Sequence, residues 1–335
     1  MCQLSNEGHT LTTSFPLILT LFSKFVAATP VQIQRLVDWN SEVLLRLLKL
    51  IVLKRNSSGR ENSWEEEPLL QQEEGKIVLD EVTEVIDLPG FSQRSFQDPG
   101  EMMELPPGAE LQLREYVSAV ANAYHNNPFH CLQHASQVTM AVTKLLSRIV
   151  VRELDDVEEH DGEDENESDE EVVVTDTIAS HLHNHTYGIT SDPLTQFALV
   201  LSALIHAVDH GGIPNLESAK EDPEAAALYR NRSIIEQRSV DKAWKKLMEP
   251  EFRALRQSIY ADETELKRFR QVVVNSVLAT DIDDEVLQSL RMKRWEKTFS
   301  HGALNVTPDD VNRKATIVIE HLMQASDVFY TMQPW

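Results

Sequence analysis

The sequence predicts an all-α fold, and three observations lead to that prediction. Apolar residues recur at helical spacing in several separate segments, helix-start signals such as Asp192-Pro193 and Thr307-Pro308 precede some of them, and strand signals are sparse throughout. The 335 residues are 41% hydrophobic and 25% charged, which is enough apolar material for one sizeable core with extensions. We therefore predict one multi-helix domain with tails.

Composition divides the chain into three predicted parts. Residues 1–55 are an N-terminal extension that ends in a connector or packing helix opening at Thr29-Pro30, residues 56–108 are an irregular linker, and residues 109–335 are the main helical domain. Within that domain the stretch from Glu153 to Glu171 holds 13 acidic residues and no basic ones. We expect residues 153–172 to form a solvated, disordered insertion.

Charge and cysteine content exclude several function classes. The net charge of −23 argues against a nucleic-acid partner, because phosphate contacts come from Lys and Arg. The apolar run Phe15 to Ala28 is too short to span a bilayer, so we expect no direct membrane insertion. With only two cysteines, Cys2 and Cys131, a disulfide framework is excluded and a cytoplasmic location is expected.

The most informative stretch is Ser202 to Asn215, which reads SALIHAVDHGGIPN. We predict a buried helix that is capped by Asp192-Pro193 and ends at Gly211-Gly212. On such a helix His206, Asp209 and His210 would share one face. Two imidazoles at i and i+4 form half of a metal site.

A second pair of histidines has the same spacing. His130 and His134 begin the helix of PFHCLQHASQVTMAVTKLLSRIV, with an apolar stripe behind them. One such pair is more often a hydrogen-bonded surface feature, but two pairs at the ends of apolar helices favour a shared metal site. His181, His183 and His185 alternate in a polar segment, which predicts a surface loop rather than a metal tract.

Three further helices complete the predicted domain. A helix opens at Ser233 with a capping-box pattern that by itself accounts for Glu236. The next runs from Thr264 to Ile282 and carries Thr280-Asp281 at its end. The last begins at Thr307-Pro308 and ends near Asp327, whose carboxylate position is more often a solvated terminus than a ligand.

Four blocks, taken together, resemble the ordered signature of class I cyclic nucleotide phosphodiesterases. They are NPFHCLQHASQV (127–138), ALIHAVDHGGIPN (203–215), SVLATD (276–281) and QASD (324–327), against NPYHNxxHAADV, HDxDHxGxxN, VLATD and HCADLSNP in the family. The segment YRNRSIIEQ (229–237) resembles the family's YNDxSVLEN. The resemblance covers about 220 residues and implies an all-helical bundle of the HD-domain-like type with a two-metal centre, usually zinc plus magnesium or manganese.

The resemblance also implies roles for individual residues. His134, His206 and Asp327 match ligands of the tighter metal, and His130 matches the histidine that protonates the leaving 3' oxygen. The remaining matches line or support the centre, and they are His210, its neighbour Asp209, and the second-layer positions Glu236, Thr280 and Asp281. The implied reaction is hydrolysis of cAMP or cGMP to the 5'-monophosphate, in which two cations activate a water for in-line attack on phosphorus.

This chain departs from the family pattern at its second metal. The family's Asp that bridges both metals is Ala207 here, and a methyl group cannot coordinate a cation. One Zn²⁺ site remains plausible, whereas a second site for Mg²⁺ or Mn²⁺ would be weakened. The family also continues past the position of Trp335 to its purine-binding residues, so the resemblance implies no substrate-binding residue here.

Two functions therefore stay open. The first is a metal-dependent cyclic nucleotide phosphodiesterase. The second is a catalytically impaired relative with a regulatory, scaffold or dimerisation role, which Ala207 and the missing end favour. The partners that the resemblance suggests are a cyclic nucleotide and either a second copy of the chain or upstream signalling domains in a longer parent, including a membrane-anchored one. A zinc protease is excluded because HAVDH lacks the Glu of HExxH.

Overall fold

The regular structure of the described residues is helical. The computed structural model describes residues 29–57, 59, 76–91, 104–158, 179–299 and 307–329, without the side chains of 150–158, and this part contains no strand. The all-α prediction is confirmed. The α-helices are α1 Pro30–Ser57, α2 Ala109–Asn122, α3 Leu132–Glu158, α4 Pro193–Ile205, α5 Asn215–Glu221, α6 Pro223–Leu228, α7 Ile234–Leu247, α8 Arg253–Ile259, α9 Glu263–Leu278, α10 Glu285–Phe299 and α11 Pro308–Phe329, with 3-10 turns at Val78–Glu81 and Pro250–Phe252 and a helical segment at 179–185.

Helix α4 is the centre of the bundle. Its sequence, PLTQFALVLSALI, is apolar almost all round, as expected of a helix enclosed on every side. It packs against α1, α3, α9 and α11. The predicted cap is present, because the side chain of Asp192 accepts a hydrogen bond from the Thr195 N–H and Pro193 occupies the first helical position.

The core extends further towards the N-terminus than the predicted domain boundary at residue 109. Leu44 and Leu48 of α1 are fully buried in the same apolar cluster as α4, and so are Val78 and Ile86 from the expected linker. Arg55 in the last turn of α1 donates to the Gln257 and Ile259 carbonyls in the last turn of α8. Among the described residues, α1 and segment 76–91 therefore share one apolar core with the helices that follow them.

A buried ion pair joins α10 to α11. The guanidinium of Arg294 is fully buried, donates to the Glu320 carboxylate and also donates to the Thr83 carbonyl at 3.0 Å. Asn275 of α9 donates to the other oxygen of Glu320 at 3.0 Å. This network fixes segment 76–91 against three helices.

Two further sequence expectations concern the acidic insertion and the membrane. The acidic insertion, residues 153–172, lies outside the residues whose side chains the structure describes. In the described ranges, no helix combines the length and the apolar character that crossing a bilayer requires.

Candidate metal centre

Three helices bring their ends together at one point. His134 lies in the first turn of α3, His206 directly follows α4, and Asp327 lies in the last turn of α11. One ligand atom from each lies within 4.8 Å of the other two. His134 Nε2 is 2.9 Å from Asp327 Oδ1, and His206 Nε2 is 3.5 Å from the same oxygen. Both histidines are buried, and Asp327 is half-buried.

The hydrogen bonding of His206 makes this arrangement suitable for a cation. Its Nδ1 lies 2.9 Å from the Ala203 carbonyl oxygen, which can only accept, so Nδ1 carries the proton. In the neutral ring the Nε2 lone pair then faces the carboxylate of Asp327. Two electron-rich atoms at this distance repel each other unless a proton or a cation lies between them. Two imidazoles and one carboxylate are a donor set that zinc accepts.

The charges of the three residues are strongly coupled. Burial raises the pKa of Asp327, but hydrogen bonds with His134 and His206 outweigh burial and hold the pKa well below its usual range. Burial lowers the pKa of His206, yet the bond to Asp327 outweighs it and the pKa rises. The centre therefore keeps a negative carboxylate that attracts positive charge to the imidazoles.

His130 and His210 form a stacked pair beside these three residues. Their ring centroids are 3.7 Å apart and the planes differ by 9°, while the His130 centroid is 5.9 Å from that of His134. Neither ring lies on a helix, because His130 precedes α3 and His210 follows α4 by five residues. The predicted placement of both i,i+4 pairs on helices is thus wrong, although the rings still come together.

Asn127 holds the two loops that carry this stack. Its Oδ1 accepts from the His130 N–H at 2.7 Å, and its Nδ2 donates to the His130 carbonyl at 3.1 Å and to the His210 carbonyl at 3.0 Å. Gly212 has φ +82°, and an added Cβ would lie 3.3 Å from the Asn127 Cβ. A glycine is therefore needed where the second loop passes Asn127.

The stacked rings are uncharged at neutral pH in this structure. Burial lowers the pKa of His130 to about 4, and the neighbouring His134 adds to the decrease. Burial likewise lowers the pKa of His210 to about 3, with His130 as the next cause. The Gly212 N–H donates to His210 Nδ1 at 2.9 Å, so the neutral His210 ring has its proton on Nε2.

Asp209 faces away from the centre. Helix α4 ends at Ile205 rather than at Gly211-Gly212, and Asp209 adopts a left-handed conformation with φ +62°. Its carboxylate pairs with His125 at 2.8 Å and with Lys242. Burial raises the pKa of Asp209, but the hydrogen bonds with Lys242 and His125 outweigh burial and lower the pKa. His206, Asp209 and His210 therefore do not share one helix face, because the helix ends at Ile205 and residues 206–209 form turns.

Ala207 is buried next to His206 and offers only a methyl group. In the described part of the chain, His134, His206 and Asp327 are the one group of three or more residues with metal-ligand geometry. The residues present therefore fit one cation, and the side chain at position 207 adds no ligand to them.

Glu236 belongs to a polar cluster under the centre. Asn215 Nδ2 donates to Glu236 at 2.9 Å and to Asp281 at 3.3 Å, while its Oδ1 accepts from the Ile235 N–H. Ser233 makes no side-chain cap, so the capping-box explanation of Glu236 is wrong. Thr280 donates to the Val277 carbonyl at the end of α9.

The environment of Glu236 raises its pKa. Burial raises it from 4.5 to about 7, the charge of Asp281 adds to the rise, and Asn215 and His206 oppose it. Between these two pH values the folded chain keeps a proton that the unfolded chain has lost, so the free energy of unfolding falls as pH rises through this window.

We expect Glu236→Gln to remove this pH dependence in the metal-free protein. The variant should gain about 1–3 kcal/mol in free energy of unfolding relative to the parent at pH 8, and this gain should disappear at pH 4. Urea unfolding with a chelator present at both pH values measures it. A difference that is independent of pH would contradict the assignment.

Two residues that hold the site together were not predicted as site residues from the sequence. Asn127 and Asn215 lie within the quoted blocks NPFHCLQHASQV and ALIHAVDHGGIPN, and their position in those blocks was the available signal. The tract HLHNH also differs from its predicted loop, because residues 179–185 are helical and His183 is buried.

Comparison with known proteins identifies a related family. A family model described as 3'5'-cyclic nucleotide phosphodiesterase matches residues 169–335, which include His206 and Asp327 but not His134. The human cGMP-inhibited 3',5'-cyclic phosphodiesterase 3A is 28% identical over 208 residues, covering 58% of this chain and 18% of the relative. A probable 3',5'-cyclic phosphodiesterase, pde-1, of Caenorhabditis elegans is 25% identical over 226 residues, covering 67% and 26%. This chain therefore spans only a minor part of these curated relatives.

Among solved structures, the phosphodiesterase domain of the Salpingoeca rosetta rhodopsin phosphodiesterase is similar with a TM-score of 0.46 and 21% sequence identity. That similarity covers 67% of this chain and 54% of the solved chain.

Proposed function

Because the chain belongs to the 3',5'-cyclic nucleotide phosphodiesterase family, we propose that it hydrolyses cAMP or cGMP to the 5'-monophosphate at the His134, His206 and Asp327 centre. The observation that carries this proposal is the meeting of these three side chains at the ends of α3, α4 and α11. Histidines with a purely structural role would not require ligand atoms from three helix ends to lie within 4.8 Å of one another. The acidic surface fits a phosphate substrate only if a cation supplies the positive charge.

The centre would hold one zinc ion through two imidazoles and one carboxylate. Three protein ligands leave a position open, as in catalytic zinc sites. When bound, the cation supplies Lewis acidity towards the phosphodiester and lowers the pKa of a water molecule. Ala203 keeps the His206 ring in the tautomer that presents Nε2 to this position.

His130 would act as the general acid. Its ring lies beside that of His134, so a phosphate held at the centre would be close to it. The negative charge of the phosphate favours the imidazolium form of His130, which burial disfavours. The proton then goes to the departing 3' oxygen. Stacking on His210 and the bonds from Asn127 keep the ring in place.

Ala207 limits the turnover that this centre can reach. A second cation, Mg²⁺ or Mn²⁺, would have no carboxylate at position 207, so we expect hydrolysis to be slow. The same residue supports a second candidate function, a catalytically impaired module that keeps the helical bundle and one zinc in a regulatory, scaffold or dimerisation role.

Metal content and hydrolysis assays separate these functions. We expect about one zinc per chain by elemental analysis, slow but zinc-dependent hydrolysis of cAMP or cGMP, and loss of both in Asp327→Asn. The neighbouring variant Gln324→Asn, which keeps an amide near the Ala279 carbonyl, should retain the zinc. Zinc binding without any hydrolysis would favour the impaired module, and zinc retained by Asp327→Asn would contradict the proposed centre.

A further inference from the structure

We propose that Tyr124 is a positioning residue for His206, because its hydroxyl group holds the backbone on both sides of that histidine. The inference rests on the proposed function, since it concerns a ligand of the same centre. Tyr124 lies outside the four blocks that resemble the family, the first of which begins at Asn127.

The C-terminal end of α4 has carbonyl groups that need donors from outside the helix. Carbonyls in the last turn of an α-helix have no partner within it, so side chains or other segments must satisfy them. The Ala203 carbonyl faces Nδ1 of His206 at 2.9 Å. The Leu204 carbonyl accepts a hydrogen bond from the Tyr124 hydroxyl at 2.6 Å, although the two residues are 80 apart in sequence.

The same hydroxyl also bonds to the residue that follows His206. Burial raises the pKa of Tyr124, and a backbone hydrogen bond with Ala207 opposes that rise. A bond that lowers the pKa of a phenol is donated to its oxygen, so the donor is the Ala207 N–H. One oxygen atom therefore donates to Leu204 and accepts from Ala207, and the backbone of His206 lies between these two bonds.

The neighbours of Tyr124 hold the same turns. The Ala123 carbonyl accepts from the Asp209 N–H at 3.1 Å, and Nε2 of His125 lies 2.8 Å from Oδ1 of Asp209. Three consecutive residues after α2 thus contact residues 204–209. Of the three, Tyr124 is the one that bonds to the residue directly after His206.

These bonds matter for the centre because they fix the direction of the His206 ring. Nε2 faces Asp327 at 3.5 Å only while the last turn of α4 keeps the Ala203 carbonyl opposite Nδ1. Without the hydroxyl, the Leu204 carbonyl and the Ala207 N–H would both lose a partner, and the turn would rearrange to satisfy them. Removing a group that orients a metal-binding histidine lowers metal affinity by about 10–100-fold.

Two tyrosine variants of the full chain test the role of the hydroxyl. Tyr124→Phe removes only the oxygen, and we expect its dissociation constant for Zn²⁺, measured by competition with a chelator, to rise by about 10–100-fold. Tyr116→Phe is the matched control, because the Tyr116 hydroxyl donates to the Ala243 carbonyl of α7 at 3.1 Å. It should keep the zinc affinity of the parent. Equal losses of affinity in both variants, or none in Tyr124→Phe, would overturn the inference.

A second measurement needs neither metal nor hydrolysis. In ¹⁵N NMR spectra of the metal-free parent in alkaline solution, the His206 ring should show one tautomer with its proton on Nδ1, identified by its loss in His206→Gln. Tyr124→Phe should show both tautomers, a change that a general loss of stability does not produce. A single unchanged tautomer would overturn the role of Tyr124, whatever the zinc and hydrolysis assays show. Mixed tautomers in a variant of a chain that hydrolyses nothing would support Tyr124 and count against the proposed function alone.

Discussion

Ala207→Asp is expected to raise the number of tightly bound divalent cations from one to two per chain and to accelerate cyclic nucleotide hydrolysis by about a hundredfold or more. Position 207 directly follows His206 and is buried beside the centre, so a carboxylate there would supply the ligand that the residues present lack. Elemental analysis and an assay of cAMP and cGMP hydrolysis with Zn²⁺ and Mg²⁺ present measure both effects.

The stability of this variant depends on the cation. A buried carboxylate without a partner is unfavourable, so metal-free Ala207→Asp should unfold at a lower temperature than the parent, and divalent cations should reverse this loss. Ala207→Asn has nearly the same size without the charge and should gain neither cation nor rate. Rapid two-metal turnover by the unchanged chain would show that position 207 does not limit catalysis.

Arg294→Ala should have the largest effect on stability, a loss of about 3–5 kcal/mol in the free energy of unfolding. The substitution leaves Glu320 charged and buried, with Asn275 as its close remaining donor and Arg291 3.9 Å away. It also removes a donor from the Thr83 carbonyl. Urea unfolding at neutral pH measures the loss.

An exposed ion pair of α10, the helix that carries Arg294, is the control for this prediction. Lys297 contacts Glu84 at 2.8 Å, and both side chains are about half exposed. Lys297→Ala should therefore cost less than about 1 kcal/mol. Similar losses in the two variants would mean that burial does not set the strength of the Arg294 pair.

Local patterns in the sequence predict where the helices of the bundle begin. Asp192 caps α4 as expected, and Thr307 and Asp310 exchange hydrogen bonds at the start of α11. The end of α4 at Ile205 was not visible in local patterns, because the turns that follow it are held by residues distant in the sequence. The Asp209 N–H donates to the Ala123 carbonyl, and Asp209 adopts a left-handed conformation before the Gly211-Gly212 signal.

The integration of segment 76–91 into the core was also hidden from local patterns. Its backbone N–H groups at Leu79, Thr83 and Ile86 donate to side chains of distant helices, from Gln237, Asn275 and Thr316. Short apolar runs such as those around Val78 and Ile86 look like a linker when only neighbours in sequence are considered. Partners that lie roughly 160 to 230 residues away cannot be read from composition.

For the candidate site as well, local patterns predicted some features, and contacts between distant residues determined others. The residue types and their spacing indicated histidine pairs, whereas the joining of His134, His206 and Asp327 was an expectation from the resemblance of four blocks. The roles of Asn127 and Asn215 depend on hydrogen bonds across turns that helical periodicity does not describe.

The amide of Asn127 ties two chain segments that are more than eighty residues apart in sequence. Opening of either segment costs a hydrogen bond of Asn127, since the same side chain satisfies the His130 N–H and the His210 carbonyl, and we expect the two segments to open together. Native-state hydrogen exchange should accordingly report both turns as one opening event, with one shared protection factor for their amide protons. The imidazole stack would then be assembled or lost in a single step.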